Sequence, residues 1–102
     1  MKVFITGANG FIGKHLCFAL SNTNHHVTAA VRDIKSSSNL NNINYISVGD
    51  ISLKEDWKDL LFEKDCVIHC AGRAHKVYEN EYSSLEKYRL INFETTKKIA
   101  IQ

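Results

Sequence analysis

Short, nearly continuous apolar runs alternate along this chain with stretches whose apolar residues recur every three or four positions. These two signatures separate buried strands from amphipathic helices. Val3, Phe4 and Ile5 centre a first strand over residues 2–6, ending at Gly7. Residues 11–21 follow as a helix with Ile12, Leu16, Ala19 and Leu20 on one face. Asn22, Thr23 and Asn24 break it, residues 26–31 form a second strand, and the Ser- and Asn-rich residues 36–42 read as a surface loop. A third strand spans 44–48. Ser52 and Glu55 have the spacing of a capping box, which predicts a helix whose buried stripe is Leu53, Trp57, Leu60 and Leu61. Residues 66–71 form a fourth strand, apolar almost throughout, as expected of a strand covered on both faces. A polar stretch from Gly72 to about Glu81 carries no assignment. A last helix runs from about Tyr82 to the end, with Leu85, Tyr88, Asn92, Thr96 and Ile99 on one line.

Strands alternating with helices predict an α/β fold, a parallel sheet with right-handed crossovers and flanking helices. With 102 residues there is one core, and no internal repeat. The last helix has no stop signal before Gln102, so the domain is expected to be truncated.

Composition narrows the function classes. Hydrophobic residues make up 44% and charged residues 24%, ordinary for a soluble globular protein. The net charge is +2, with Lys and Arg scattered among Asp and Glu, so no nucleic-acid partner is expected. Apolar stretches such as residues 27–31 are too short for a membrane span, and the N-terminus is too short in apolar residues for a signal peptide. A cytoplasmic protein without membrane association is the expectation. Cys17, Cys66 and Cys70 fit neither a disulfide framework nor zinc-site spacing, so free buried thiols and no metal are expected.

The chemistry concentrates between the first strand and its helix, in Thr6-Gly7-Ala8-Asn9-Gly10-Phe11-Ile12-Gly13. In such a loop the first glycine permits a tight turn, the second lets backbone approach a pyrophosphate, and the third allows close helix–strand packing. The helix N-terminus then offers unpaired N–H groups and a partial positive charge to phosphates. A glycine-rich turn without a ligand is the alternative.

The G-x-x-G-x-x-G spacing resembles the glycine loop of the short-chain dehydrogenase/reductase superfamily, especially its extended, sugar-nucleotide branch. Three further segments resemble that branch in order and spacing. Gly49-Asp50-Ile51 is similar to its adenine-contacting motif. His69-Cys70-Ala71-Gly72 is similar to the segment bordering the nicotinamide ribose. The segment from Arg89 to Thr96 is similar to the family's x-N-V-x-G-T helix, with Thr95 where Gly is usual, which implies wider helix packing. The resemblance covers essentially the whole chain and about the first third of a typical member. Within the branch, residues 67–75 most resemble bacterial UDP-hexose 4-epimerases.

This resemblance implies a Rossmann-type NAD(P)-binding domain over residues 1–102, strand order 3-2-1-4, incomplete because later strands and the substrate domain are absent. Strand four would then be an apolar, unprotected edge. The implied cofactor residues are Gly7, Asn9, Gly10, Phe11, Ile12, Gly13, Arg32, Asp33, Asp50, Ile51, Cys70, Ala71, Gly72 and Asn92. Arg73 and His75 follow the fourth strand, where they contact a UDP-sugar substrate or are simply surface residues. Asp50 either meets adenine or complements the start of the next helix. His69 is packed rather than catalytic. Asn92 either ties down a neighbouring strand or lines the site. NAD calls for an acidic residue at the end of the second strand, and NADP for an arginine nearby. Counted from Gly13, the acidic position falls on Val31, followed by Arg32 and Asp33, which leans towards NADP. Solvated loop charges are the alternative for both. A homodimer through the C-terminal helix is also expected.

Catalysis in such enzymes resembles a Tyr-x-x-x-Lys pair, whose lysine lowers the tyrosine pKa from one helical turn away. Four residues beyond Tyr45, Tyr78, Tyr82 and Tyr88 stand Gly49, Tyr82, Glu86 and Asn92, so no catalytic residue is assigned in this chain. The functions this leaves are the cofactor-binding portion of a nucleotide-sugar epimerase or dehydratase, an NADP-dependent reductase of the same superfamily, or a non-catalytic NAD(P)-binding or sensing module. A flavodoxin-like receiver fold without dinucleotide is opposed by the glycine loop.

Overall fold

In the computed structural model, the structure describes residues 1–36, 40–71 and 93–102. Four strands, β1 (Lys2–Thr6), β2 (His26–Val31), β3 (Ile43–Ser47) and β4 (Cys66–His69), pair in parallel in the order β3-β2-β1-β4. This is the order the resemblance implies, and it makes β1 a central strand. Helices α1 (Phe11–Leu20), α2 (Lys58–Leu61) and α3 (Thr95–Ile101), with 3₁₀ turns at Ile34–Ser36 and Ile51–Leu53, complete the described elements. No helix among the described residues is long and apolar enough to cross a membrane.

Strand alternation sorts the core into two layers. Val3 and Ile5 of β1 join Val27, Ala29 and Val31 of β2 on the face that packs against Cys17 of α1. Phe4 and Ala30 turn to the opposite face, where they meet Trp57 and Ile99. Phe4 and Ile5 are both wholly buried, so β1 is covered on both sides.

The face that α1 buries differs from the predicted one. Gly13 and Cys17 are buried with Leu16 and Leu20 half-buried beside them, while Ile12 and Ala19 are exposed. The phase of the helix follows its closest approach to the sheet, which occurs at its glycine. Hydropathy reads Ile12 as the better core residue because it takes no account of how near the backbones must come.

The capping box does not form. Asp50 instead accepts from the Ser52 backbone N–H at 3.0 Å and from its hydroxyl at 2.7 Å, closing a 3₁₀ turn over Ile51–Leu53. Glu55 is drawn elsewhere: its carboxylate meets Lys98 Nζ at 2.8 Å and its carbonyl accepts from Gln102 Nε2 at 2.8 Å. Gln102 Oε1 also accepts from the Trp57 N–H at 2.6 Å. The predicted helix is thereby split into a turn and the short α2. Leu53, expected in the buried stripe, is 74% exposed, whereas Trp57 is buried edge-on against Phe4 with ring centroids 6.4 Å apart.

Two smaller differences follow from position. β4 ends the sheet among the described residues, and its Val67 is exposed rather than covered. In α3 the buried positions are Thr95 and Ile99, so the inward line passes through Thr95 and leaves Thr96 outside. Leu85, Tyr88 and the rest of the predicted helix before residue 93 lie outside the described residues.

Trp57 and Leu53 give opposite expectations on unfolding. Trp57→Ala should lower stability by about 3–5 kcal/mol, the usual cost of emptying a buried aromatic site. Leu53→Ser should stay within about 0.5 kcal/mol, as exposed substitutions do. Denaturant unfolding measures both, and a large loss at Leu53 would show that the predicted helix forms in solution.

Candidate functional site

The carboxyl ends of β1, β2 and β4 converge on the glycine loop. Gly7 has φ +63°, and a Cβ there would lie 2.5 Å from Ala71 N and 2.6 Å from Ala71 Cα. The missing side chain is therefore what lets the end of β4 pass against the loop, beyond its role in the turn. At Gly13 a Cβ would overlap the Gly7 carbonyl oxygen and lie 2.9 Å from Ala8 Cα. Gly10 is different. Among the described residues a Cβ there would have the Gly7 carbonyl at 3.4 Å as its one near neighbour, and the residue is exposed. Two glycines thus serve packing, while the third keeps a space open.

That space lies at the N-terminus of α1. Gly10 is the cap residue and offers no side-chain hydrogen bond, and the first turn holds no acidic residue. The first-turn N–H groups, which a helix cannot satisfy internally, are therefore left without a side-chain cap. Phe11 and Ile12 stand on this turn with exposed side chains. Asn9 is half-buried on another side, bordering a small cavity with Ala8, Lys14 and Tyr45.

Next to the loop is a cavity of about 180 Å³. Gly7 and Ala71 line it from β1 and the end of β4, Val31 and Arg32 from β2, and Gly49, Asp50 and Ile51 from the turn after β3. Backbone bonds hold its rim, with Val48 N–H donating to Val31 O at 2.9 Å and Gly49 N–H to Arg32 O at 3.2 Å. Gly49 makes the turn with φ +67°.

Asp50 and Arg32 supply the charge. Asp50 takes the capping role left open by its sequence, through Oδ1, while Oδ2 lies 3.6 Å from Arg32 Nη2. The Ser52 hydroxyl, then the Ser52 N–H, hold the Asp50 carboxyl below its ordinary pKa, with Arg32 adding a smaller pull against the opposing effect of burial. Val31, at the expected acidic position, is buried and apolar. Asp33 lies outside this cavity lining and accepts from the Lys35 N–H at 3.0 Å.

Thr6 plays a part that the glycine spacing did not reveal. Its hydroxyl lies 2.6 Å from His69 Nδ1 and accepts from the Ala71 N–H at 3.2 Å, tying the end of β1 to the end of β4. The available signal was a polar residue closing an apolar strand. His69 is half-buried; its Nε2 is buried with no hydrogen-bond partner among the described residues, and burial lowers the imidazole pKa. Cys70 packs with the α1-side core, where burial raises its thiol pKa, and its backbone N–H donates to Thr6 O at 3.2 Å. Gly72, Arg73, His75 and Asn92 lie outside the described residues. No group of three or more His, Cys, Asp or Glu placed to hold a metal occurs among the described residues.

A larger open groove of about 670 Å³ lies at the opposite end of the sheet, bordered by residues 23–28 and 42–44. It has neither a glycine loop nor a helix N-terminus. Ligands of parallel α/β sheets bind at the carboxyl ends of the strands, so the smaller cavity is the better candidate.

Known proteins match this arrangement. UDP-glucose 4-epimerase of Vibrio cholerae is 29% identical over 101 residues, covering 99% of this chain and 30% of that protein. The UDP-glucuronic acid 4-epimerase of Bacillus cereus, solved in complex with NAD, superposes with a TM-score of 0.70 at 28% identity over 96% of this chain and 34% of its own. Yeast methylglyoxal/isovaleraldehyde reductase Gre2, solved with NADPH, superposes with a TM-score of 0.76 at 26% identity over 98% of this chain and 32% of its own. The chain thus spans about a third of the length of each. The profile of the NAD dependent epimerase/dehydratase family matches residues 3–100. With the glycine loop, the parallel sheet and this match in agreement, the chain belongs to the NAD-dependent epimerase/dehydratase family.

Proposed function

We propose that residues 1–102 form the NAD(P)-binding portion of a nucleotide-sugar epimerase or dehydratase acting on a UDP-sugar. The observation that carries this is the exposed Gly10 at an α1 N-terminus whose cap residue makes no side-chain hydrogen bond, on the loop whose Gly7 lines the strand-end cavity. The residues present fit a dinucleotide. Backbone N–H groups of Phe11, Ile12 and Gly13 hold the pyrophosphate, because an uncapped helix N-terminus attracts anions. Asp50 and Ile51 frame the adenine, and Arg32 with Asp33 meets the adenosine ribose. Cys70 and Ala71 border the nicotinamide ribose; the family resemblance adds Gly72 and Asn92 to the cofactor contacts and Arg73 and His75 to the sugar-nucleotide contacts, all four outside the described residues. A dinucleotide held by these residues would supply hydride-transfer chemistry towards a sugar carbon.

Both NAD and NADP fit this reading, and Arg32 favours NADP, since a guanidinium pairs well with a 2′-phosphate. A second reading is a non-catalytic NAD(P)-binding or sensing module. A reductase of the same superfamily remains the alternative chemistry. A homodimer through the C-terminal helix would cover Phe93 and Ile101, both exposed.

The 102-residue chain alone is expected to show no turnover in epimerase or reductase assays. Loss of positioned acid–base groups costs about 10²–10⁴-fold in rate. Cofactor-dependent turnover by the pure chain would reveal a catalytic group among these residues.

Binding is tested through Gly10. Gly10→Val should leave the unfolding midpoint nearly unchanged, because Gly10 is exposed and a Cβ there meets little among the described residues. It should nevertheless weaken ADP-ribose binding by about tenfold or more, a change of about 1.4 kcal/mol. Calorimetric titration gives the affinity, and unchanged binding would contradict the assignment of the loop to the pyrophosphate.

A further inference from the structure

At the strand-end cavity a cation and an anion of the protein already face each other. Arg32 Nη2 lies 3.6 Å from Asp50 Oδ2, and both residues line the cavity. Asp50 is not free to swing aside, because its Oδ1 accepts from both the backbone N–H and the hydroxyl of Ser52. The main chain of Arg32 is held as well, through its carbonyl and the Gly49 N–H. Only the guanidinium end has freedom, and the arginine side chain is 77% exposed. Beside it, Val31 is buried and apolar, and Asp33 Oδ1 accepts from the Lys35 N–H.

The geometry points to Asp50 as a specificity-determining residue that competes with a 2′-phosphate for Arg32. A ligand carrying that phosphate must draw the guanidinium away from the Asp50 carboxylate, whereas the unphosphorylated ligand leaves the ion pair in place. Asp50 therefore narrows the preference for the phosphorylated cofactor that Arg32 creates. This inference rests on the dinucleotide reading given above and concerns the discrimination between its two forms. It also assigns Asp50 a role in which the carboxylate acts on the ligand through a neighbouring side chain, in addition to any contact with adenine.

The test compares ADP-ribose with 2′-phospho-ADP-ribose, titrated calorimetrically into the wild-type chain, Asp50→Asn, Arg32→Gln and the double variant. Asparagine keeps an oxygen for the Ser52 N–H and hydroxyl, so the turn is retained. Asp50→Ser is the second variant should Asp50→Asn fold poorly. An adenine contact common to both ligands cancels in the ratio of their affinities. In Asp50→Asn that ratio should shift about two- to fivefold towards the phosphorylated ligand, the range an exposed ion pair commands. The shift should vanish in the Arg32→Gln background, as coupling through Arg32 requires. An unchanged ratio in Asp50→Asn, or an equal shift with Arg32 removed, would overturn the competition and leave the dinucleotide reading standing. Failure of the wild-type chain to bind either ligand would overturn both.

Discussion

The close approach of three backbones at Gly7 and Gly13 is the constraint on which the rest of the structure depends. The end of β4 passes Gly7 so closely that a Cβ would lie 2.5 Å from Ala71 N, and α1 packs so near the loop that a Cβ at Gly13 would overlap the Gly7 carbonyl. Side-chain removal at these two positions brings α1 down with Gly13 and Cys17 facing the sheet. It also brings Ala71 within reach of the Thr6 hydroxyl, which fastens β4 to β1. The helix N-terminus and the cavity at the strand ends are consequences of that packing. A protein interior as dense as an organic crystal leaves no slack for a methyl group there.

Electrostatics then distinguish the two ends of the sheet. At the carboxyl end the α1 N-terminus, without a side-chain cap, combines with Arg32 to favour an anionic ligand, and Asp50 offsets part of that charge. At the amino end the larger groove is bordered by the turns before β2 and β3. Size alone would select that end. A helix N-terminus without a side-chain cap, charge and an exposed glycine argue for the other.

Much of this was legible in the chain because strands and phosphate-type loops have short, local signatures. Apolar runs marked all four strands to within a residue or two, and the glycine spacing located the loop between β1 and α1. What escaped was set by tertiary contacts. Ile12 was read as core because its side chain is apolar, yet the helix phase is governed by the smallest residue, Gly13. Ser52 and Glu55 had capping-box spacing, but Asp50 reached Ser52 first and Glu55 was engaged by Lys98 and Gln102, more than forty positions away. The Thr6–His69 contact joins residues 63 apart, beyond any pattern of local spacing. Asp50 stood between two roles in the sequence, and its bonds to Ser52 show that the capping role is taken.

The central claim is that the dinucleotide binds at the carboxyl ends of these strands, on the loop that Gly7 and Gly13 shape. The most direct measurement follows backbone amide chemical shifts of the chain as ADP-ribose is added. Shifts should concentrate at Gly7, at Gly10 to Gly13 and at Gly49 to Ile51, and saturate together. Saturable shifts confined to the opposite groove, around Thr23 to Thr28, or none at the glycine loop, would contradict the account.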